Sequence, residues 1–438
     1  MEDFIVAPIV LMVGLGIHFV VLRGFEQHEQ RLLNASFIAH VFSAFAQILV
    51  YAYYYEGGDM MNYRDLGIPV AEAMRYDFEG IFPETVKMLL QRPDARLPFE
   101  TLGGGSTGTM LMLASYLMFL LANSFYGATL VIAVLSYISK TFIYRALAPE
   151  FAPEQRRAVM IGVMLMPTAI FWTSALLKEP IVMIALGPLF LGVRYIIQGR
   201  NFRGALFVAL GATGVALIKA YVLLAFAGAA ALWVIWARVV RGRGSMAIKP
   251  GYLLVGLIGG MLLFTVAERF LTKRVESGLA ASMASQRRVS SHVEGDSNYL
   301  LEGQSQLEGG DETSLTRELL LTPLALVTAL FRPFIFEVRK PLQAVNAIET
   351  TWVLWATIAV FRRNRVLGLV NKVTASPALM FCLVFTLVLA IGTALSTSNL
   401  GTLSRYRAPM MPFFGVLLLT LLPKKQVVVT EALALQPT

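Results

Sequence analysis

Charge is scarce in this chain of 438 residues: charged residues make up 15% of it, whereas hydrophobic residues make up 56%. A soluble domain carries about 25% charged residues, so the composition excludes an ordinary water-soluble protein. Cysteine is scarcer still, because Cys382 is the only one, and it lies within an apolar run. No disulfide within the chain is possible, and no thiol-based metal site is supported.

Histidine is also rare. The four histidines are His18, His28, His40 and His292, and no two of them have the spacing of metal ligands. We therefore predict neither a metal ion nor a cofactor.

Apolar runs, by contrast, are abundant, and many of them have the roughly 20 residues that a spanning helix needs. They lie near 4–22, 35–55, 109–125, 127–147, 158–176, 180–197, 204–220, 221–237, 252–267, 343–361, 376–396 and 408–422. This pattern predicts an all-α, polytopic integral membrane protein with roughly ten to thirteen transmembrane helices. We expect one membrane domain over 1–425 and a short tail over 426–438. The first run lacks a basic leader and a small-x-small site, so we interpret it as a retained helix.

The net charge of +9 could suggest nucleic acid as a partner, but the distribution of the charge argues for a membrane instead. Basic residues gather in short loops: Arg194, Arg200 and Arg203; Arg238, Arg241, Arg243 and Lys249; Arg362, Arg363, Arg365 and Lys372; Lys424 and Lys425. Cytoplasmic loops have this bias. The longer polar segments 56–108 and 268–342 are then predicted to be extracytoplasmic loops with amphipathic helices.

In one part of this topology, the number of predicted membrane crossings disagrees with the predicted sides of the membrane. Three apolar runs separate Asp59 from the "LLKEP" segment at 176–180, yet both segments are expected on the outer face. An odd number of crossings cannot achieve that. Either Arg156 and Arg157 lie at the outer surface, or Pro167 breaks its run into a re-entrant piece, and we favour the second interpretation.

Polar residues at helix ends are the candidate site residues, because they are costly in a bilayer and usually functional. The first group is Asp59, Tyr63 and Asp65, directly after an apolar run. A partly desolvated carboxylate beside the headgroups can act as a general base, and Tyr63 would lie one helical turn away. The alternative is a solvated loop start beside aromatic belt residues.

Two further segments carry isolated lysines. In "FWTSALLKEPIVM", Lys178 and Glu179 precede Pro180 at a predicted helix corner, where the lysine could bind a phosphate and the glutamate could orient it. The alternative is a snorkelling lysine beside a surface acid. In "IKAY", Lys219 is either a phosphate ligand or part of a hairpin turn.

Arginines mark two late segments. Arg332, with Glu337, lies in "TALFRPFIFE", which is too short and too broken by Pro333 to span and is predicted to be an interfacial helix. Its guanidinium could bind a lipid phosphate, or it could anchor the segment at the membrane surface. Arg405 and Arg407 flank Tyr406 in "SRYRAPMMP". In an extended loop they would share one side and could hold one phosphate or pyrophosphate.

Taken in order, "GGDMMNYRDLG", "FWTSALLKEP", "LFRPFIFE" and "RYRAPMMP" resemble bacterial C-type (GT-C) lipid-linked glycosyltransferases and exopolysaccharide polymerases. In that group the second motif often has the form "FWSSGxGKD", so Lys178 and Glu179 would occupy the lysine and acid positions. A later "RPH" of the group is replaced by "IKAY" here, which departs from the pattern at Lys219.

The resemblance implies a transferase that takes a sugar from a polyprenyl phosphate or pyrophosphate at the outer face of a bacterial inner membrane. Asp59 would be the base. Lys178, Arg332, Arg405 and Arg407 would hold the donor phosphate, and the acceptor would be a sugar or lipid. The alternatives are a polymerase or ligase of another fold, a lipid-linked sugar transporter or flippase, and a structural membrane protein.

Overall fold

A computed structural model describes residues 2–98, 103–241, 322–397 and 399–422. The helices of these ranges are α1 (Glu2–Leu22), α2 (Gln27–Leu49), α3 (Asp59–Tyr76), α4 (Phe78–Leu89), α5 (Gly105–Leu120), α6 (Phe125–Leu147), α7 (Pro153–Met164), α8 (Pro167–Phe171), α9 (Lys178–Ile197), α10 (Asn201–Arg241), α11 (Thr322–Phe331), α12 (Pro341–Asn364), α13 (Val366–Ala375), α14 (Pro377–Ser396), α15 (Leu400–Tyr406) and α16 (Met411–Leu421). The predicted run 252–267, most of the loop 268–342 and the tail lie outside the described residues.

The described residues form helices as their regular elements, and seven segments are long and apolar enough to cross a membrane. These segments are α1, α2 with its final π-helical turn, α6 with the turn after it, α9, α10, α12 and α14. The described part of the chain is therefore all-helical, and the chain is a polytopic membrane protein, as its composition predicts.

The helices define two ends of the bundle. At one end, the Arg145 guanidinium of α6 lies 4.7 Å from the Phe25 ring after α1, and Arg194 of α9 pairs with Glu150 after α6. Much of the basic charge of the short loops gathers here, so we call it the basic end. Asp59, Lys178 and Arg405 lie at the opposite end, which we call the site end.

Helices α3 and α5 pack against each other as a layer at the site end. α3 is amphipathic: Met60, Tyr63 and Met74 are buried, whereas Asp65 is exposed. At the start of α5, Thr107 accepts a hydrogen bond from Lys178. After its end, the Ser124 hydroxyl donates to Asp3 at the start of α1. Both ends of α5 are thus at the site end, so the prediction of a spanning helix over 109–125 is wrong.

The segment α7–α8 crosses the bundle in two pieces. Met164, at the end of α7, accepts a hydrogen bond from Ser36 of α2, and Phe171, at the end of α8, accepts one from Gln47. α7–α8 therefore runs alongside α2 toward the site end. Pro167 does break the helix, but the re-entrant interpretation is wrong. Arg156 lies near Tyr144 at the basic end, so the alternative of outer-face arginines is wrong as well.

The break in this helix explains several polar residues that lie deep in the bundle. At the start of α8, the backbone N–H and hydroxyl of Thr168 both donate to Glu349 of α12. Near its end, Lys140 of α6 donates to the Ala169 carbonyl at 2.9 Å. Inside a bilayer, backbone groups released by a break need such partners. We call Ser36, Gln47, Lys140 and Glu349 the helix-break group.

α10 turns back on itself at Lys219, whose backbone is not helical (φ −145°, ψ 80°). Its first arm runs antiparallel to α9, because Gly204 packs against Ile196 and Gly214 packs against Ala185. At 1.5 Å per residue, a straight continuation would carry Phe226 past the start of α9. Instead the Phe226 ring lies 5.3 Å from Phe190, midway along α9. Lys219 therefore occupies a turn at the site end.

Candidate functional site

Asp59 is presented at the site end by a tight turn after α2. Glu56, Gly57 and Gly58 all have positive φ values, and α3 begins at Asp59 itself. At Gly58 (φ 99°) a side chain would be strained, and its Cβ would lie 3.3 Å from the Tyr51 ring. The glycines thus let the chain pass closely over Tyr51 and place the Asp59 carboxylate, whose side chain is 48% exposed, at a helix N-terminus.

Glu179 lies at the centre of the site. Lys178 and Glu179 are the first two residues of α9, and Pro180 follows in the first turn, where its missing N–H costs nothing. The Glu179 side chain is fully buried, and its Oε1 lies 2.6 Å from the Nζ atom of Lys219. The hairpin of α10 therefore brings Lys219 to the start of α9, a contact that sequence spacing alone did not predict.

Arg405 joins two carboxylates from distant parts of the chain. Its Nε lies 2.8 Å from Glu179 Oε2, and its Nη2 lies 2.7 Å from Asp59 Oδ2. Burial alone would lower the pKa of Arg405, but the carboxylates of Glu179 and Asp59 outweigh burial and raise it. The arginine therefore stays charged and fixes the position of Asp59 relative to α9.

Lys178 is the cation of the site that has only neutral partners among the described residues. Its Nζ donates to Thr107 Oγ1 at 2.8 Å and to Ser106 Oγ at 3.3 Å. Both hydroxyls belong to the first turn of α5, which begins at Gly105 after Gly103 and Gly104. An ammonium group, two hydroxyls and a helix N-terminus thus converge at one point of the site end.

We call Asp59, Lys178, Glu179, Lys219 and Arg405 the end cluster. It contains three cations and two carboxylates, so it holds one more positive than negative charge. Both carboxylates are bound by Arg405, and Glu179 is bound by Lys219 as well. The excess charge therefore resides on Lys178, which is only part-buried and can meet a ligand.

Tyrosines surround the end cluster. Lys219 Nζ lies 3.9 Å from the centre of the Tyr406 ring, which is close enough for a cation–π interaction. Tyr63 is buried on the inner face of α3, one turn after Asp59. Burial raises the pKa of Tyr63, and the Asp59 carboxylate raises it further, so the phenol stays protonated at neutral pH. These rings make the inner wall of the site largely aromatic.

Three of the predicted site residues lie apart from the end cluster. Asp65 pairs with the neighbouring Arg64 at 2.7 Å on the exposed side of α3. Arg332 pairs with Glu337 at 2.6 Å, directly after α11. Arg407 is fully buried and donates to the Arg332 carbonyl at 2.8 Å.

The prediction that Arg405 and Arg407 share one side of an extended loop is wrong. Arg405 lies within α15, and Arg407 continues the helical conformation at its C-cap (φ −76°, ψ −14°). Residues two apart do not share a helix face. Arg405 therefore reaches Asp59 and Glu179, whereas Arg407 reaches the Arg332 carbonyl, and the two cannot hold one phosphate from a single direction.

The sequence interpretation also missed residues. Ser106 and Thr107 were not singled out within the polar segment 56–108, although they accept hydrogen bonds from Lys178. Lys140 and Glu349 were passed over, yet each is an ionisable residue inside an apolar run, which marks a special environment.

Across the described ranges, no group of three or more His, Cys, Asp or Glu side chains is arranged to hold a metal ion. Comparison of the chain with protein-family models, with curated proteins and with solved structures gives no match.

Proposed function

We propose that the protein is a GT-C-like membrane glycosyltransferase that uses a polyprenyl-phosphate-linked sugar as its donor. It would work at the extracytoplasmic face of a bacterial inner membrane, in the assembly of a cell-surface polysaccharide or glycolipid. The observation that carries this proposal is the end cluster: a half-exposed carboxylate, Asp59, stands beside an excess positive charge on Lys178. A lipid-linked sugar phosphate needs both groups at the membrane edge.

The donor phosphate would bind between Lys178 and Arg405. Lys178 offers an ammonium group that no carboxylate neutralises within the described residues, and the start of α5 adds two hydroxyls and a helix N-terminus. Arg405 keeps N–H groups beyond those that bind Asp59 and Glu179. One phosphodiester charge would balance the excess charge of the end cluster.

Asp59 would be the general base. One of its oxygens, Oδ2, is bound by Arg405, and the other makes no hydrogen bond in the described part of the chain. That free oxygen would accept the proton of an acceptor hydroxyl as the hydroxyl oxygen attacks the anomeric carbon. The bond between that carbon and the phosphate oxygen would break, and the polyprenyl phosphate would leave on Lys178 and Arg405. A base in this role typically contributes 10²–10⁴-fold to the rate.

The proposed sidedness rests on charge. Short loops with excess arginine and lysine stay in the cytoplasm, and the arginine-rich turns lie at the basic end. The site end would then face the periplasm, where lipid-linked sugars are presented to acceptors. Of the remaining predicted ligands, Asp65 and Arg332 stay predictions, and Arg407, whose guanidinium binds the Arg332 carbonyl, is given no contact with the donor.

The direct test is a transfer assay with the full-length protein in nanodiscs. A panel of radiolabelled polyprenyl monophosphate sugars is supplied with membrane glycolipid acceptors, and release of polyprenyl phosphate is measured. We expect release with at least one donor, and its loss in Arg405→Ala. Asp94→Asn, an exposed acid in the loop between α4 and α5, is the control.

Failure of every donor to bind or react would contradict the proposal. Movement of the intact lipid-linked sugar across the membrane without release of polyprenyl phosphate would instead indicate a flippase.

A further inference from the structure

A second buried charge lies behind the end cluster. Arg407 has no exposed surface, and only its Nη1 is bound, by the Arg332 carbonyl. Its Nε and Nη2 have no hydrogen-bond partner within the described residues. These two nitrogens form one edge of the guanidinium, the edge that binds a carboxylate with two parallel hydrogen bonds. A buried donor without a partner is costly, and more so when it is charged.

An acceptor with the matching charge is nearby. Glu349 is buried, and its Oε2 accepts both hydrogen bonds from Thr168. Its Oε1 has no partner in the described ranges. Both residues meet the same turn: Thr350, next to Glu349, donates to the Pro333 carbonyl at 2.7 Å, and Arg407 donates to the adjacent Arg332 carbonyl. Glu349 and Arg407 are thus close in space, yet they make no direct ion pair. Two opposite charges thus lie near each other, and each has hydrogen-bonding atoms without a partner among the described residues.

Each member of this pair is attached to one side of the end cluster. Arg407 follows Arg405 by two residues, at the end of the short helix α15. Glu349 holds the first turn of α8, and residues 172–177, which connect α8 to Lys178, are all buried. A change in the separation of Glu349 and Arg407 would therefore change the separation of α8 and α15. That movement would pass to Lys178 and Arg405 through closely packed chain.

We propose that Glu349 and Arg407 are a positioning pair that sets the distance between the Lys178 side and the Arg405 side of the site. They would close into a two-hydrogen-bond ion pair when the phosphate of the donor lipid bridges Lys178 and Arg405. The inference rests on the proposed function, because it takes the phosphate group as the bridging ligand. Neither residue touches the substrate, so their effect is on the geometry of the residues that do.

The test is a double-mutant cycle read in two states. Wild type, Glu349→Gln, Arg407→Gln and the double variant are compared in the full-length protein, with Arg407→Lys as a milder second variant. Glutamine at 349 keeps an acceptor for Thr168 while removing the charge. Glu79→Gln, an exposed acid in the first turn of α4, is the control. Thermal stability is measured without ligand, and the affinity for undecaprenyl monophosphate is measured in detergent micelles.

We expect each single variant to bind undecaprenyl monophosphate about 10-fold more weakly, and the double variant to bind no more weakly than either single one. Without the lipid, the effects on stability should add. The positioning role would be overturned if the effects of the two substitutions on affinity were additive. It would also be overturned if the two residues were equally coupled with and without the lipid, because either result would indicate a fixed structural pair. If Lys178→Met binds more weakly than wild type, while Glu349→Gln binds normally, the inference fails and the proposed function stands. Absence of binding by wild type would overturn both.

Discussion

The end cluster and the helix-break group are both sets of polar side chains buried in an apolar bundle, but they differ in what they bind. Members of the helix-break group hold backbone groups: Ser36 binds the Met164 carbonyl, Lys140 the Ala169 carbonyl, and Glu349 the Thr168 N–H. In the end cluster, side chains bind one another, and one cation, Lys178, has only hydroxyl partners within the described ranges.

This difference separates two reasons for burying polar groups in a membrane. A broken helix leaves donors and acceptors that have no water to bind, and neighbouring helices supply the partners. These hydrogen bonds to backbone groups are accounted for by the fold alone; Glu349 has in addition a second oxygen, Oε1, which we assign to the positioning pair with Arg407. Arg405, by contrast, joins Asp59 to Glu179 although no broken helix requires it, and Lys178 has no acid partner among the described residues. Charge without a structural task is the mark of a site.

The strongest way to break this comparison is Asp59→Asn. Asparagine keeps the size of the side chain and an oxygen for Arg405, but it cannot accept a proton as a base. We expect sugar transfer to fall by at least about 100-fold, the lower end of the usual effect of a general base. The amount of inserted protein should stay the same. The assay is transfer of radiolabelled sugar in isolated membranes, normalised to protein. Near-normal transfer would move the base to another residue or remove that role.

Lys178→Met tests whether the end cluster binds a phosphate through Lys178. Methionine keeps much of the length of the lysine but removes the ammonium group, which has no acid partner in the described part of the chain. We expect affinity for undecaprenyl monophosphate to fall by about 10- to 150-fold, because a charge-assisted hydrogen bond is worth about 1.5–3 kcal/mol. Binding is measured by titration in detergent micelles. Lys87→Met, on the surface of α4, is the control. Equal affinity of both variants would show that Lys178 only anchors α5.

The sequence predicted much of the fold because long apolar runs are a strong and local signal. α1, α6, α9, α12 and α14 all lie where such runs predicted them. α5 was misjudged because its apolar composition suits a core helix as well as a spanning one. What keeps α5 at the site end is the packing of its residues against α3, and a run of apolar letters carries no information about that contact.

The residues of the end cluster could be named from sequence, but their pairing could not. Asp59, Lys178, Lys219 and Arg405 each stand out as charges at the edges of apolar runs. That Arg405 binds Asp59 depends on the direction of one short helix, and the same helix turns Arg407 away. Lys140 and Glu349 were overlooked because the need for them arises from the break at Pro167, far away in sequence.

Gly162→Ala tests whether the broken helix is held in place by close packing. A Cβ at Gly162 would lie 2.5 Å from the Val416 backbone nitrogen, where α7 and α16 meet. The two backbones would have to separate, so we expect the free energy of unfolding to fall by about 1–3 kcal/mol. Titration with a denaturing detergent measures this change. Gly16→Ala on α1 is the matched control, since its Cβ meets nothing within 4 Å. Equal stability of the two variants would contradict the close approach of α7 and α16.

Ser36→Ala is the mildest test, and it probes the helix-break group alone. The Ser36 hydroxyl donates to the Met164 carbonyl at 2.8 Å, where α7 ends. Without it that carbonyl loses its partner from α2, but hydrogen bonds between membrane helices average only about 0.6 kcal/mol. We expect a loss of stability of that order and unchanged transfer per folded molecule. Ser115→Ala is the matched control, because its hydroxyl binds the Leu111 carbonyl of its own helix. If Ser36→Ala lowered transfer while leaving stability intact, the helix-break group would belong to the site, and the distinction between the two groups would fail.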